Sequence, residues 1–153
     1  MQNGSGAGKG LYALTLAAVA PLLLGNMAAA SDVKVTVTDL RSAKGNVLAC
    51  LTAKPKAFPD CDKDPTAYTA TVKAGTMVTF SFRDVKPGTY AISLLHDENG
   101  NGKADKSLFI PKEGFGFSRD AKVKMGPPKF GAASFAVGEA PVHQKIRMRY
   151  LFR

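Results

Sequence analysis

The sequence predicts an all-β fold, an antiparallel seven-stranded β-sandwich. Three observations lead to it. Apolar residues recur at every second position in several runs. Turn-forming residues punctuate those runs, and no sustained helical period appears after residue 30. Alternation places one set of side chains on one face, so each run reads as a half-buried strand.

The elements follow in order. Val33, Val35 and Val37 alternate with Lys34, Thr36 and Thr38 in the first. Residues 45–53 are apolar on both parities, which suits a more central strand. Tyr68, Ala70 and Val72 form a third run, and Val78, Phe80 and Phe82 a fourth. Tyr90, Ile92 and Leu94 form a fifth, residues 134–137 a short sixth. In the last, Ile146, Met148, Tyr150 and Phe152 alternate with Lys145, Arg147, Arg149 and Leu151. Lys44-Gly45-Asn46, Lys73-Ala74-Gly75-Thr76 and Lys86-Pro87-Gly88 supply turns between strands. A closed barrel shares this pattern, because alternation does not say whether the sheet edges meet.

Residues 1–30 read as a signal peptide. Lys9 gives a thin positive start, Leu11 to Leu24 is apolar apart from Thr15, and Pro21 interrupts it. Ala28-Ala29-Ala30 offers the small residues a signal peptidase reads, so cleavage is expected before Ser31. A spanning helix needs roughly 20 apolar residues, and this run is shorter and holds a proline. The expected product is one domain, residues 31–153, periplasmic or secreted, with no membrane span. Losing Lys9 and no acid would lower the formal charge from +9 to +8. Such a basic protein can meet anionic lipid or acidic glycans, but no dense Lys/Arg cluster stands out along the chain.

Cys50 and Cys61 are the two cysteines. An even count in an exported chain suggests one disulfide. Zinc would want further ligands, and a redox dithiol would more often show Cys-x-x-Cys spacing. A structural staple is the reading preferred for this pair.

Two connections break the rhythm. Residues 54–65 hold three prolines, Cys61 and the acids Asp60, Asp62 and Asp64. Residues 96–133 are long for a structureless loop and contain Gly-Phe-Gly-Phe at 114–117. Phe115, Phe117 and Phe130 either pin this excursion to the sandwich or form an aromatic platform for a ligand such as a sugar.

These landmarks carry a resemblance. Pro87-Gly88-Thr89-Tyr90-Ala91, then His96-Asp97-Glu98-Asn99-Gly100-Asn101-Gly102-Lys103 with Asp105, resemble the DUF2141 family of small exported bacterial proteins. So do Ile110 to Ser118, and Pro127, Phe130, Ala133 and Phe135. The resemblance spans nearly all of residues 32–152. It implies a secreted or periplasmic β-sandwich of the transthyretin-like, Greek-key, or carboxypeptidase-regulatory kind, and no activity. Asp120-Ala121 stands where relatives often show paired Asn.

The strongest chemical signal is the segment 96–105. Asp97, Asn99 and Asn101 put oxygen at every second position, Gly102 marks the sharp bend, and Asp105 follows. With the Lys103 carbonyl they suggest a Ca²⁺ loop. The position of the bidentate EF-hand glutamate holds Leu108, and the flanks are not helical, so the segment is not an EF-hand. Few charges imply a weak site, with waters or Glu113 completing the shell. The competing reading is an Asx-rich turn closed by side-chain-to-backbone hydrogen bonds.

Catalysis finds no motif. After residue 30 the only histidines are His96 and His143, and neither has an evident partner in sequence. Gly-x-Ser-x-Gly and His-Glu-x-x-His are absent. The transthyretin-like hydroxyisourate hydrolases end in Tyr-Arg-Gly-Ser, whereas this chain ends Tyr150-Leu151-Phe152-Arg153. No nucleic-acid recognition motif is present, and export argues against that partner. The expectation is a non-enzymatic binding or scaffolding module of the cell envelope, with an unknown envelope component as partner. The alternative is a glycan-binding module using the loop aromatics.

Overall fold

In the computed structural model, residues 29–104, 106–107 and 110–151 are described. Nearly all of the expected signal segment, Asp105, Leu108 and Phe152 lie outside them.

Strand β1 (Ser31–Thr38) obeys its alternation literally: Val33, Val35 and Val37 are fully buried, while Lys34 is exposed. It is the middle of a three-stranded sheet. The fourth strand, β4 (Val78–Val85), pairs with it antiparallel, with Val35 opposite Phe80. The last strand, β10 (Val142–Arg147), pairs with it in parallel, with Lys34 opposite His143. The purely antiparallel expectation is corrected here. Alternation specifies a face but not a direction, and a parallel partner needs only a connection long enough to bring the chain back.

The second sheet is built on β2 (Asn46–Thr52) and β5 (Gly88–Asp97), paired antiparallel with Cys50 opposite Ser93. β3 (Tyr68–Lys73) flanks β2. The other edge of β5 is shared: β9 (Phe135–Val137) pairs with Gly88–Tyr90, and β8 (Gly114–Phe117) with Ser93–His96. β6 (Lys106–Ser107) and β7 (Ile110–Pro111) make a small hairpin. The described residues thus hold ten β segments, more than the expected seven. β8 was hidden because Gly-Phe-Gly-Phe lacks the β-branched residues that advertise a strand. The last strand also begins earlier than its alternation suggested and ends at Arg147.

Between the sheets, Val33, Val35, Val37, Phe82 and Ile146 meet Val47, Leu51, Ile92 and Leu94. Each such side chain, taken from water, contributes about 1.5–3 kcal/mol. On β8 the phenylalanines point outward and the glycines inward. A Cβ on Gly116 would stand 2.7 Å from Ile146 Cγ2. The glycines therefore let the tail of β10 pass close behind β8. That tail changes sheets. Met148 N–H donates to Thr38 O at 2.9 Å, and Arg149 exchanges two backbone hydrogen bonds with Phe115 at 2.8 and 2.9 Å. One edge of the sandwich is stitched by this crossover.

Outside the second sheet lies a smaller apolar cluster. Ala91, Phe115, Phe117, Ala121 and Ala133 are buried there, with Phe58, Val123 and Phe130 against them. It fastens the long excursion to the sheet. Ser118, fully buried, accepts the Ile92 N–H at 2.8 Å and donates to Ala133 O at 2.6 Å.

Candidate functional site

The oxygen-rich segment begins at the last residue of β5. Asp97 is buried by that position, only 1 % exposed, and its carboxylate turns back on the loop. Oδ1 accepts the N–H groups of Gly100 (2.8 Å) and Asn101 (3.1 Å), and Oδ2 that of Gly102 (2.8 Å). Asn99 Oδ1 accepts Asn101 N–H at 3.0 Å, and Asn101 Oδ1 accepts Lys103 N–H at 2.8 Å. Gly100 and Gly102 both have φ of +72°, which lets the chain wind tightly around the carboxylate. The loop is closed by its own Asx turns. Asp97, Asn99, Asn101 and Lys103 are brought together on one bend. Among the described residues no group of three or more His, Cys, Asp or Glu side chains could hold a metal.

Next to the loop is a polar cluster that sequence reasoning missed. His96 is fully buried, with Nδ1 2.6 Å from Tyr150 Oη and Nε2 2.8 Å from the Lys44 carbonyl. A carbonyl only accepts, so Nε2 carries a proton, and in the neutral ring Nδ1 then accepts from the Tyr150 hydroxyl. Tyr150 Oη also accepts the Arg41 N–H at 3.1 Å, and the Arg41 guanidinium lies 4.5 Å from the ring centre. Burial pushes the Tyr150 hydroxyl above its ordinary range. Arg41 forms an ion pair with Glu98 and donates to the Lys112 carbonyl at 3.2 Å. Its hydrogen bond to Glu98 raises its own pKa against burial. Glu98 also accepts Ser42 Oγ–H at 2.7 Å, and the Arg41 hydrogen bond holds its carboxyl below the usual range against burial. Glu113, the expected extra ligand, is buried and adds to the negative field at Arg41. The signals for this cluster were His96 as one of two histidines after residue 30, Tyr150 on a strand-like parity and Glu98 inside the Asx segment. None told what it would face.

The excursion has a second anchor. Asp120, with φ of +50°, accepts Arg147 Nε at 3.0 Å and Nη2 at 2.7 Å, and Arg149 Nη2 at 2.8 Å. Burial pushes its carboxyl up, but the two arginines outweigh this and hold it low.

Cys50 and Cys61 stand at disulfide distance, with Cα atoms 6.3 Å apart, inside the range a bridge spans. The 54–65 connection between them and β3 is organised by Asp64. Its carboxylate takes Lys54 Nζ at 2.7 Å, Thr52 Oγ1–H at 2.6 Å, and the N–H and Oγ1–H of Thr66 at 3.0 and 2.6 Å. Lys54 first, then Thr52 and Thr66, pull its pKa far below the usual carboxylate value.

The three aromatic candidates do not form an exposed platform. Phe115 and Phe117 are buried, and Phe58 lies edge-on between Phe117 and Phe130, with ring centres 5.7 and 6.0 Å away. Phe115 and Phe117 instead help line a groove of about 860 Å³ on the outward face of the second sheet. Leu48 and Leu95 add apolar floor, and the 59–62, 102–104 and 123–127 segments border it. Lys103, Lys124, Asp60 and Asp62 bring charge to its lining. Among the described residues, no helix is long and apolar enough to cross a membrane.

Comparison with curated proteins and with solved structures gives no match. A family described as an uncharacterized protein conserved in bacteria, DUF2141, matches residues 35–145, from the first strand to the last. The matched span takes in the Asx loop, the Gly-Phe-Gly-Phe strand and Asp120, and the chain belongs to the DUF2141 family.

Proposed function

We propose that this protein is an exported, non-catalytic binding module of the bacterial cell envelope, and that its ligand seat is the groove over the second sheet. The observation that carries the reading is the groove itself. It is about 860 Å³, within the size of small-molecule sites, and its floor is Leu48, Leu95, Phe115 and Phe117. The reactive side chains nearby are engaged elsewhere: both ring nitrogens of His96 are hydrogen-bonded, and Asp97 and Asp120 hold the excursion in place. An apolar floor bordered by Lys103, Lys124, Asp60 and Asp62 suits an amphipathic envelope component, an acyl chain with a polar head. Sugar stacking is less well supported: Phe115 and Phe117, 9 and 5 % exposed, line the groove but leave no open ring face, whereas an acyl chain can lie along the half-buried Leu48 and Leu95. Cleavage before Ser31 and Greek-key, transthyretin-like winding are part of the same proposal. The non-neighbour pairings of β1 with β4 and β2 with β5 support that winding.

Titrating the purified protein with a fluorescent fatty-acyl probe tests the groove. Saturable binding that Leu95→Asp and Thr71→Trp each weaken, with unchanged circular dichroism, is expected. Absence of saturable acyl binding ends the reading.

Ca²⁺ enters as a stabiliser of the Asx loop, supported by Asp97, Asn99 and Asn101 converging on one bend. A single described carboxylate implies millimolar affinity. At ten times its dissociation constant the ion would add about 1.4 kcal/mol. A thermal midpoint that rises with Ca²⁺ over chelator, and no longer does so in Asn99→Ala, is expected. Identical melts exclude it.

A further inference from the structure

The two sheets differ in what lies outside them. The excursion covers the outward face of the second sheet. On the three-stranded sheet the outward residues Asp32, Lys34, Thr79, Ser81, Arg83, His143 and Lys145 are all exposed. Three of the 21 lysines and arginines, distant in sequence, are brought together here by strand register. Lys34 stands in the middle strand, opposite Ser81 on one side and His143 on the other. Lys145 is one outward position along, opposite Thr36. Arg83 is one outward position the other way, across the β-bulge that follows Phe82. Neighbouring strands lie about 4.8 Å apart and alternate residues about 6.8 Å, so successive cations are spaced about 8 Å along a diagonal.

None of these three cations takes part in an ion pair among the described residues; Arg147, at the Lys145 end, is the one already engaged, by Asp120. Asp32 and Asp84 are the acids at the Arg83 end, and Asp84 N–H donates to Asp32 Oδ1 at 3.3 Å. The flanks of the diagonal are hydroxyls: Thr36, Thr79 and Ser81. Thr36 Oγ1 lies 2.9 Å from His143 Nε2. Among the described residues the one exposed large apolar side chain bordering β4 is Met77, just before it.

We infer that this face binds a linear acidic polysaccharide, with Arg83, Lys34 and Lys145 meeting successive carboxylates and the flanking hydroxyls meeting sugar hydroxyls. Charge complementarity selects a polyanion. A single row of cations fits a chain better than a surface. Without a group of apolar side chains there is nothing to enter a lipid layer, which disfavours a membrane as the partner. The inference is separate from the groove, which lies on the opposite side of the sandwich.

The test is binding of the purified protein to polygalacturonate, with neutral dextran and phosphatidylglycerol vesicles alongside. Saturable, salt-sensitive binding to polygalacturonate and none to dextran is expected. The combined Lys34→Gln, Arg83→Gln, Lys145→Gln variant should lose about tenfold or more in affinity. A control with Lys63→Gln, Lys122→Gln and Lys129→Gln, exposed lysines elsewhere, should stay within about twofold. Leu95→Asp should leave polygalacturonate binding unchanged. No binding, equal loss in both triple variants, or tighter binding to the vesicles than to polygalacturonate overturns the inference.

Discussion

His96 and Tyr150, 54 residues apart, share a 2.6 Å hydrogen bond that ties the end of β5 to the segment that follows β10. The histidine is fully buried, so the bond is made where water cannot replace it. Tyr150→Phe removes the donor to His96 and the acceptor of Arg41 N–H at once. A buried polar group left unpaired costs about 1–3 kcal/mol, so an unfolding free energy in urea lower by about that amount, with a lower midpoint, is expected. A wild-type midpoint would show that the bond contributes nothing.

Gly45 should be the least replaceable glycine. It has φ of +67°, and a Cβ there would overlap the Asp97 carbonyl oxygen. Gly100 and Gly102 also have positive φ, at +72°, but open onto empty space. Gly100→Ala or Gly102→Ala should cost about 1 kcal/mol, the left-handed penalty alone. Gly45→Ala must in addition push β2 away from β5, so its thermal midpoint should fall well below those of the other two. Equal melting of the three variants would contradict the close approach.

Asp97→Ala strips three backbone N–H groups of their acceptor. Hydrogen bonds to a charged group are worth about 1.5–3 kcal/mol, so a loss of about that size is expected in chemical denaturation. Amide exchange gives the sharper readout. Gly100 and Gly102 should exchange faster in the variant, while Ile92, held by Ser118, should not change. Unaltered exchange at the two glycines would mean that the carboxylate does not organise the loop.

Acid should destabilise the fold through Asp64, Glu98 and Asp120. Their carboxyls are held below their ordinary values in the folded protein. Each therefore adds stability above the unfolded carboxylate pKa of about 4, and that stability is lost as pH falls through the folded value. Stability measured by urea should hold near neutral pH and decline below about pH 5. Asp64→Asn should be less stable than wild type at pH 7, and the gap should narrow toward pH 3. A gap that stays constant would remove Asp64 from the acid response.

The strands were readable because period two survives in any sequence with one face in a core. Val33, Val35 and Val37, and Val78 with Phe82, announce their faces without help from neighbours. The Cys50–Cys61 pairing was readable from a count of two. β8 was not, because its glycines are chosen for what passes behind them, Ile146 and the Tyr150 turn, and not for strand propensity. The Asx loop was visible as a pattern of oxygen atoms, yet whether those oxygens face an ion or their own backbone is a question of dihedral angles. The His96–Tyr150–Arg41–Glu98 cluster joins residues up to 109 positions apart, a separation at which no local pattern carries information.

The chain by itself determined that alternating runs would fold into layered sheets, since burial of one face follows from side-chain chemistry and the pleat alone. It also determined where the oxygen-rich bend would fall. Tertiary structure alone decided strand direction and register. Those choices set β10 parallel to β1, bring Arg83, Lys34 and Lys145 into one diagonal, and bury His96 against Tyr150 from the segment after β10. Direction and register depend on which surfaces meet at a distance, and contacts of that range are settled by packing.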